Sequence, residues 1–142
     1  MTRIGFYLLN HAQQDRLYIV CRLVEKAYQQ GNHIYIYTDS DTQSHDLEHL
    51  LWSFRSESFL PHQCIEISQQ NMDRCPILIS HQSYPPRLMD VLINLTPIQP
   101  DFFSQFKRVI EVIAPNDNDK VSARERYRFY QSRGYEIQTH QL

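Results

Sequence analysis

The 142 residues of the chain are enough for one domain with a hydrophobic core and too few for two. The composition, 42% hydrophobic and 21% charged, is that of a globular protein, and no apolar run approaches the roughly 18 residues that a membrane span requires. The formal charge of −2 argues against direct binding of bare DNA or RNA, because proteins that neutralise phosphates usually carry a basic excess.

The cysteines indicate a reducing compartment. Cys21, Cys64 and Cys75 are odd in number, and no pair of them has the CxxC spacing of a zinc or redox site. The pattern therefore favours buried, reduced thiols over disulfides or a metal site. The chain opens directly into an apolar strand with no signal-peptide pattern, so we expect a cytoplasmic protein with no membrane association.

Strands and helices alternate in the first third of the chain. Both faces of Arg3 to Leu9 are apolar, which is typical of a strand that is covered on both sides. Apolar residues at helical spacing predict a helix over Gln13 to Gln30, ended by Gly31. A second strand, His33 to Thr38, is rich in isoleucine and tyrosine. A helix over about Thr42 to Phe54 follows, because the Asp-Ser-Asp before it supplies capping oxygens.

The remainder of the chain adds one long helix and five candidate strands. The helix covers about Asp119 to Arg133, between the polar turn formers Asn116 to Asp119 and Gly134. Strand–helix alternation implies parallel pairing, so we predict a single domain over residues 1–142 with a three-layer α/β/α fold and a central, mostly parallel sheet of about five to seven strands. The order of the strands does not follow from the pattern. The candidate strands are Cys64 to Ile67, Ile77 to Ser80, Val91 to Leu95, Val109 to Ile113 and Tyr135 to Thr139.

A nucleotide site is the first function that such a fold suggests, but the sequence gives it little support. The first strand-to-helix turn, Leu9 to Gln14, contains no glycine that would let backbone amides approach a phosphate. The whole chain has only three glycines and no GxxxxGK[ST] motif. A nucleotide-dependent α/β enzyme is therefore an alternative that lacks its expected phosphate loop.

A metal-dependent enzyme is the other catalytic alternative. The stretch from His45 to His49 matches the HxxEH pattern of inverted zinc proteases, and two histidines one turn apart could both reach one metal. However, Leu47, Leu50 and Leu51 define the buried side of this helix, and the two histidines lie nearly opposite. We therefore expect His45 and His49 to face water, and we predict no metal or other cofactor.

The last helix is unusual in its chemistry. Three arginines and three aromatic residues fall within Ser122 to Tyr130. Arg124 and Arg128 are one turn apart on the same side, and Tyr127 lies beside them. Two guanidinium groups next to a ring suit a carboxylate that is attached to an apolar group. The alternative is an amphipathic surface helix whose arginines are solvated.

The only tryptophan lies near the end of the second predicted helix. Trp52 points away from part of the apolar stripe, and Phe59 follows it in a polar segment. A large aromatic residue at a helix end is a common anchor for a protein partner. The alternative is that both rings close the edge of the core.

These stretches resemble the chi subunit family of bacterial DNA polymerase III. The likeness spans residues 6 to 134 and is most specific in the tryptophan segment and the arginine helix. The loop from Gln63 to Pro76 departs from the family because it contains no glycine. The stretches that carry the likeness are Phe6-Tyr7-Leu8-Leu9, Leu51-Trp52 with Ser58-Phe59-Leu60-Pro61-His62, Leu92-Ile93-Asn94-Leu95, and Ala123-Arg124-Glu125-Arg126-Tyr127-Arg128 with Tyr130 and Gly134.

The resemblance implies a non-catalytic accessory subunit of the clamp-loader complex in DNA replication. Family members pair with the small psi subunit, which joins them to the clamp loader. They also bind the acidic C-terminal tail of the single-stranded DNA-binding protein, so that DNA is contacted only indirectly. The family fold resembles nucleotide-binding domains without being one, which agrees with the missing glycines.

The resemblance also implies which residues hold the tail, whose end is an aspartate, an apolar pair and a terminal phenylalanine. Arg124 would hold the terminal carboxylate, with Arg128 close by. Tyr127, Trp52 and Phe59 would supply walls for the phenylalanine ring. We therefore expect one cationic notch, lined by rings, beside the last helix.

The contact with psi is not assigned at this stage. The proline-marked segment Tyr84 to Met89 and the pair Phe102-Phe103 are candidates, and local packing of a loop and a short helix explains them equally well.

Overall fold

Seven strands form one sheet in the part of the chain that this computed structural model describes, residues 1–11, 15–54, 60–64, 75–81, 84–85 and 87–142. The strands are β1 (Arg3–Leu8), β2 (Ile34–Tyr37), β3 (His62–Cys64), β4 (Ile77–Ser80), β5 (Val91–Asn94), β6 (Arg108–Ile113) and β7 (Glu136–Gln141). Their order is β3-β4-β2-β5-β6-β1-β7, and every adjacent pair is parallel. The predicted parallel sheet is confirmed.

Three α-helices and one short 3-10 turn connect the described strands. They are α1 (Arg16–Gln29), α2 (Asp41–Ser53), the 3-10 turn Phe103–Gln105, and α3 (Asp117–Ser132). Their ends, like those of the strands, lie within three residues of the predicted ends. Gln13, Gln14 and residues 65–67, which the sequence assigned to a helix and a strand, lie outside the described residues. No helix in the described ranges is long and apolar enough to cross a membrane.

Side chains alternate between two apolar layers on opposite faces of the sheet. Ile36 of β2 lies in one layer with Val24 of α1 and Leu47 of α2. The neighbouring Tyr35 lies in the other layer with Tyr130 of α3. Helices α1 and α2 therefore cover one face, α3 and the 3-10 turn cover the other, and the predicted three-layer α/β/α fold is confirmed.

Side-chain caps fix where α2 and α3 begin. The Gln43 N–H donates to Ser40 Oγ at 3.1 Å, as the Asp-Ser-Asp pattern predicted. The Asp119 N–H donates to Asn116 Oδ1 at 2.8 Å, so α3 begins two residues before its predicted start. This cap sets the first turn of α3, which faces the carboxyl ends of the strands.

Glycines end α1 and α3 as predicted. Gly31 follows α1 with φ +84°, and Gly134 follows α3 with φ +79°. A side chain disfavours this left-handed conformation, whereas glycine adopts it freely. No atom lies within 4 Å of a Cβ placed at either position, so the cost of a substitution there comes from the backbone alone.

Replacing Gly134 by alanine should lower the free energy of unfolding by about 1 kcal/mol, because a Cβ strains the left-handed backbone. Urea denaturation measures the loss. The matched control is Gly134→Asn, which should lose less, because asparagine tolerates positive φ better than alanine. An alanine variant as stable as the unsubstituted protein would contradict the left-handed conformation of Gly134.

Candidate functional site

A cleft of about 490 Å³ opens where β1, β6 and β7 end, beside the first half of α3. All strands are parallel, so their carboxyl ends meet at one edge of the sheet. Adjacent strands β1 and β6 are followed by helices on opposite faces, and ligands of α/β proteins commonly bind at such a divergence. The cleft is lined by Phe6, Leu8, Leu9, Asn10, Ile113, Ala114, Pro115, Lys120, Ala123, Arg124, Tyr127, Thr139 and Gln141.

The charged groups of the cleft are cations above an apolar floor. Lys120 and Arg124 are one turn apart on α3, and both are exposed. Tyr127 is half-buried, and its ring lies 5.5 Å from the ring of Phe6, which forms part of the floor. None of the described residues that line the cleft is acidic. Such an arrangement suits a ligand that combines a carboxylate with an apolar group.

A buried ion pair holds α3 against the sheet. Glu111 of β6 is completely buried, and Arg126 of α3 is only 3% exposed. Arg126 Nε donates to Glu111 Oε1 at 3.1 Å. Tyr130 Oη and Asn94 Nδ2 donate to Glu111 Oε2 at 2.9 and 3.0 Å. Both carboxylate oxygens are therefore satisfied, and the alignment of α3 on β5 and β6 is fixed.

The same arginine connects α3 to the loop that follows β5. Arg126 Nη1 donates to the Pro97 carbonyl at 3.0 Å and to Ser122 Oγ at 2.6 Å. Ser122 Oγ in turn donates to the Pro97 carbonyl at 2.9 Å. Because Arg126 points into the protein, the helical period turns Arg124 and Arg128 outward, and both are exposed.

Burial shapes the ionisation of this cluster. Removal from water raises the pKa of the Glu111 carboxyl, whereas Arg126 and the hydrogen bonds from Asn94 and Tyr130 act in the opposite direction. Burial and the neighbouring Glu111 carboxylate also raise the pKa of the Tyr130 hydroxyl, which therefore stays protonated and donates. The buried carboxylate thus depends on Arg126 and on the hydrogen bonds from Asn94 and Tyr130, which oppose the effect of burial.

The predicted site residues do not come together in one notch. Arg124 and Tyr127 line the cleft, and Arg128 is exposed on α3 but is not among the lining residues. Trp52 lies on α2, which covers the opposite face of the sheet. Phe59 lies outside the described residues. The expectation of a single notch that joins the indole to the arginines is therefore corrected, because the sheet separates α2 from α3.

Trp52 instead lines a separate groove of about 520 Å³ between α1 and α2. Its side chain is 58% exposed, so it does not close the edge of the core. The His62 ring meets the indole edge-on at 5.0 Å between centroids. His62 Nδ1 donates to the Leu60 carbonyl at 2.6 Å, which fixes the orientation of the imidazole. The groove is lined by Asp15, Leu17, Asp46, His49, Leu50, Trp52 and Ser53.

Sequence reasoning missed two parts of this arrangement. Lys120 was not proposed, although it precedes Arg124 by one turn. The Glu111–Arg126 pair was also missed, and a signal for it exists. Glu111 stands in the apolar strand sequence Arg-Val-Ile-Glu-Val-Ile, and a carboxylate in a strand buried on both faces needs a cation nearby. This need could have indicated that one of the three arginines of α3 points inward.

The remaining predicted features have simple environments. His45 and His49 are exposed, as predicted, and His45 Nε2 lies 3.4 Å from Asp41 Oδ1. No group of three metal-binding side chains occurs within the described ranges. The three cysteines are free. Cys21 is buried, as predicted, whereas Cys64 and Cys75 are only half-buried. Burial raises the pKa of the Cys21 and Cys64 thiols to about 12.

Comparison with known families shows to which family this chain belongs. The family model described as DNA polymerase III chi subunit, HolC, matches residues 1–138. The chain belongs to the DNA polymerase III chi subunit family. Chi-family proteins act in DNA replication, and the resemblance seen in the sequence is confirmed.

Curated chi-family relatives match along most of their length. The DNA polymerase III subunit chi of Pseudomonas aeruginosa is 37% identical over 143 residues, which cover 100% of this chain and 98% of the relative. The Escherichia coli K12 protein of the same name is 29% identical, with 98% and 97% covered. The Haemophilus influenzae protein is 30% identical, with 85% and 83% covered.

The chi-family fold also resembles part of a larger protein. A solved complex of S. cerevisiae Dbp5 that contains ADP superimposes with a TM-score of 0.71. The match covers 99% of this chain and 42% of the matched chain of that complex, at 9% identity. At this identity the likeness describes the fold alone.

Removing the charge of Arg126 should destabilise this chi-family chain strongly. Arg126→Met leaves a buried carboxylate without its cation, at a cost of about 3–5 kcal/mol. The double variant Glu111→Gln/Arg126→Met should recover part of this loss, because the amide that replaces the carboxylate is neutral and its oxygen can still accept from Tyr130 and Asn94.

A double-mutant cycle of denaturant unfolding measures the coupling, with Glu111→Gln completing the cycle. Additive losses from the two single substitutions would show that the pair does not act as a unit.

Proposed function

We propose that this chi-family chain is a non-catalytic adaptor in the clamp-loader complex of DNA polymerase III. It binds the psi subunit and the acidic C-terminal tail of the single-stranded DNA-binding protein, and so links the holoenzyme to the coated lagging-strand template. The observation that carries the proposal is the cleft in which Lys120 and Arg124 stand above an apolar floor.

The chemistry of the tail complements that of the cleft. Its terminal carboxylate accepts charge-assisted hydrogen bonds from Arg124, and Lys120 offers a second cation to the aspartate upstream. The terminal ring packs against Tyr127 and the floor around Phe6 and Leu8. Each charge-assisted hydrogen bond contributes about 1.5–3 kcal/mol. After association costs, a few such bonds and one buried ring correspond to roughly micromolar affinity, about −8 kcal/mol.

The charge balance of the chain favours a protein partner over bare DNA. The net charge is −2, so the cations of the cleft are a local feature of an otherwise slightly acidic protein. A peptide that presents one carboxylate end needs only such a local feature. A nucleic-acid backbone needs an extended basic surface.

A second partner needs a second surface, and the groove around Trp52 supplies it for psi. The indole is more than half exposed on the face of the sheet opposite α3, so both partners can bind at once. Exposed tryptophans are common energetic anchors of protein interfaces. By contrast, Phe102 and Phe103 are buried in the core and are not available to a partner.

Replacing Arg124 by alanine should weaken binding of a tail peptide at least tenfold, because the terminal carboxylate loses its charge-assisted donor. Isothermal titration calorimetry measures the change. Arg128→Ala is the matched control on the same helix, outside the cleft lining, and should lose much less.

Two further observations test the same site. A peptide with an amidated end should bind the unsubstituted protein as weakly as the normal peptide binds the Arg124→Ala variant, and higher salt should weaken binding. Equal binding by Arg124→Ala and unsubstituted protein would remove the cleft as the tail site.

Replacing Trp52 by alanine should abolish co-purification with psi while leaving the tail-peptide affinity unchanged, because the two surfaces lie on opposite faces. The reciprocal variant, Arg124→Ala, should retain psi. Loss of psi binding in Arg124→Ala with retention in Trp52→Ala would reverse the assignment of the two partners.

A further inference from the structure

The groove between α1 and α2 differs in charge from the cleft beside α3. Asp15, the residue before α1, and Asp46 of α2 place exposed carboxylates along it, and no lysine or arginine is among its described lining residues. Helix α2 as a whole contains Asp41, Asp46 and Glu48 and no lysine or arginine. The described residues therefore form a cationic cleft and an anionic groove on opposite faces of the sheet.

The interior of the groove is apolar. Leu17 and Leu50 are half-buried, and both line it together with the exposed indole of Trp52. Tyr18 follows Leu17 directly, and Phe54 lies two residues after Trp52. Their rings meet edge-on at 5.3 Å and connect α1 to the end of α2. The edge-on contact with His62 supports the indole from the side of β3. An apolar centre with carboxylates around it suits a segment in which an apolar side chain is flanked by basic residues.

We infer that this groove selects a segment of psi in which a bulky apolar side chain is flanked by lysine or arginine. The apolar side chain packs on Trp52, Leu17 and Leu50, and the basic side chains approach Asp15 and Asp46. The inference rests on the proposed function, which assigns this surface to psi, and it adds the charge of the psi segment.

Opposite charges also sort the two partners. The acidic tail of the single-stranded DNA-binding protein is repelled by Asp15 and Asp46, whereas the basic segment of psi is repelled by Lys120 and Arg124. Juxtaposed like charges disfavour the wrong pairing, and opposite charges speed the correct encounter. Each partner therefore reaches its own face without competing for the other.

The test reverses one charge of the groove. Asp46→Lys should lower the association rate constant for the psi subunit of the same organism about tenfold at low salt, and added salt should narrow the difference. Asp15→Ser should act in the same direction but less, because it removes a charge and does not reverse it. Serine keeps a capping oxygen for α1, so the helix start is preserved. Stopped-flow mixing or surface plasmon resonance measures these rates.

The matched control is Glu125→Lys, which makes the same charge change at an exposed position of α3, on the other face. It should leave psi association unchanged. Tail-peptide binding by Asp46→Lys should equal that of the unsubstituted protein, which verifies that the variant is folded.

Trp52→Ala separates this inference from the proposed function. If Trp52→Ala loses psi but Asp46→Lys associates like Glu125→Lys, psi binds at the groove without charge selection, and the inference fails alone. If both variants bind psi normally, the inference and the psi surface fail together. Faster association of Asp46→Lys would show an acidic segment, and self-association of the chain that Asp46→Lys abolishes would show a second copy in the groove. Either result overturns the inference.

Discussion

The ion pair between Glu111 and Arg126 determines how the third helix lies on the sheet. It joins the centre of β6 to the middle of α3, and Asn94 and Tyr130 complete the set of donors around the carboxylate. A buried carboxylate accepts only a narrow geometry, so the helix can neither slide nor rotate without losing a charged contact. The position of every other side chain on α3 follows from this one constraint. Because Arg126 points into the protein, Arg124 and Tyr127 lie on the sides of the helix that reach the strand ends.

Much of the fold could be predicted from local signals, because those signals act locally. Ser40 and Gly134 define helix ends through contacts and dihedral angles that involve only a few neighbouring residues. Apolar residues on both faces of Arg3 to Leu9 predicted a strand that is covered on both sides, and Phe6 and Tyr7 of β1 do lie in opposite apolar layers.

The composition of the site was less accessible because it depends on the order of the strands. The connection from β1 to β2 through α1 moves across the sheet in one direction, and so does that from β2 to β3 through α2. The connection from β6 to β7 through α3 moves in the other direction. Right-handed crossovers then place α3 on the face opposite to α2, and with it Arg124 opposite to Trp52. Two aromatic and cationic signals that looked alike in the sequence therefore belong to different surfaces. Lys120 was not predicted for a related reason. It becomes part of a cleft only because α3 packs beside the ends of the strands.

Among the described strands, the last one, β7, has a neighbour on one side only, and four of its six residues are exposed: Glu136, Gln138, Thr139 and Gln141. A border with a carboxylate and amide groups discourages another backbone from adding to it, which guards against sheet-to-sheet aggregation. Yet Thr139 and Gln141 also form part of the cleft wall. The cleft thus lies beside the edge of the sheet, where the proposed tail would be recognised by its side chains and its end group and not by strand pairing.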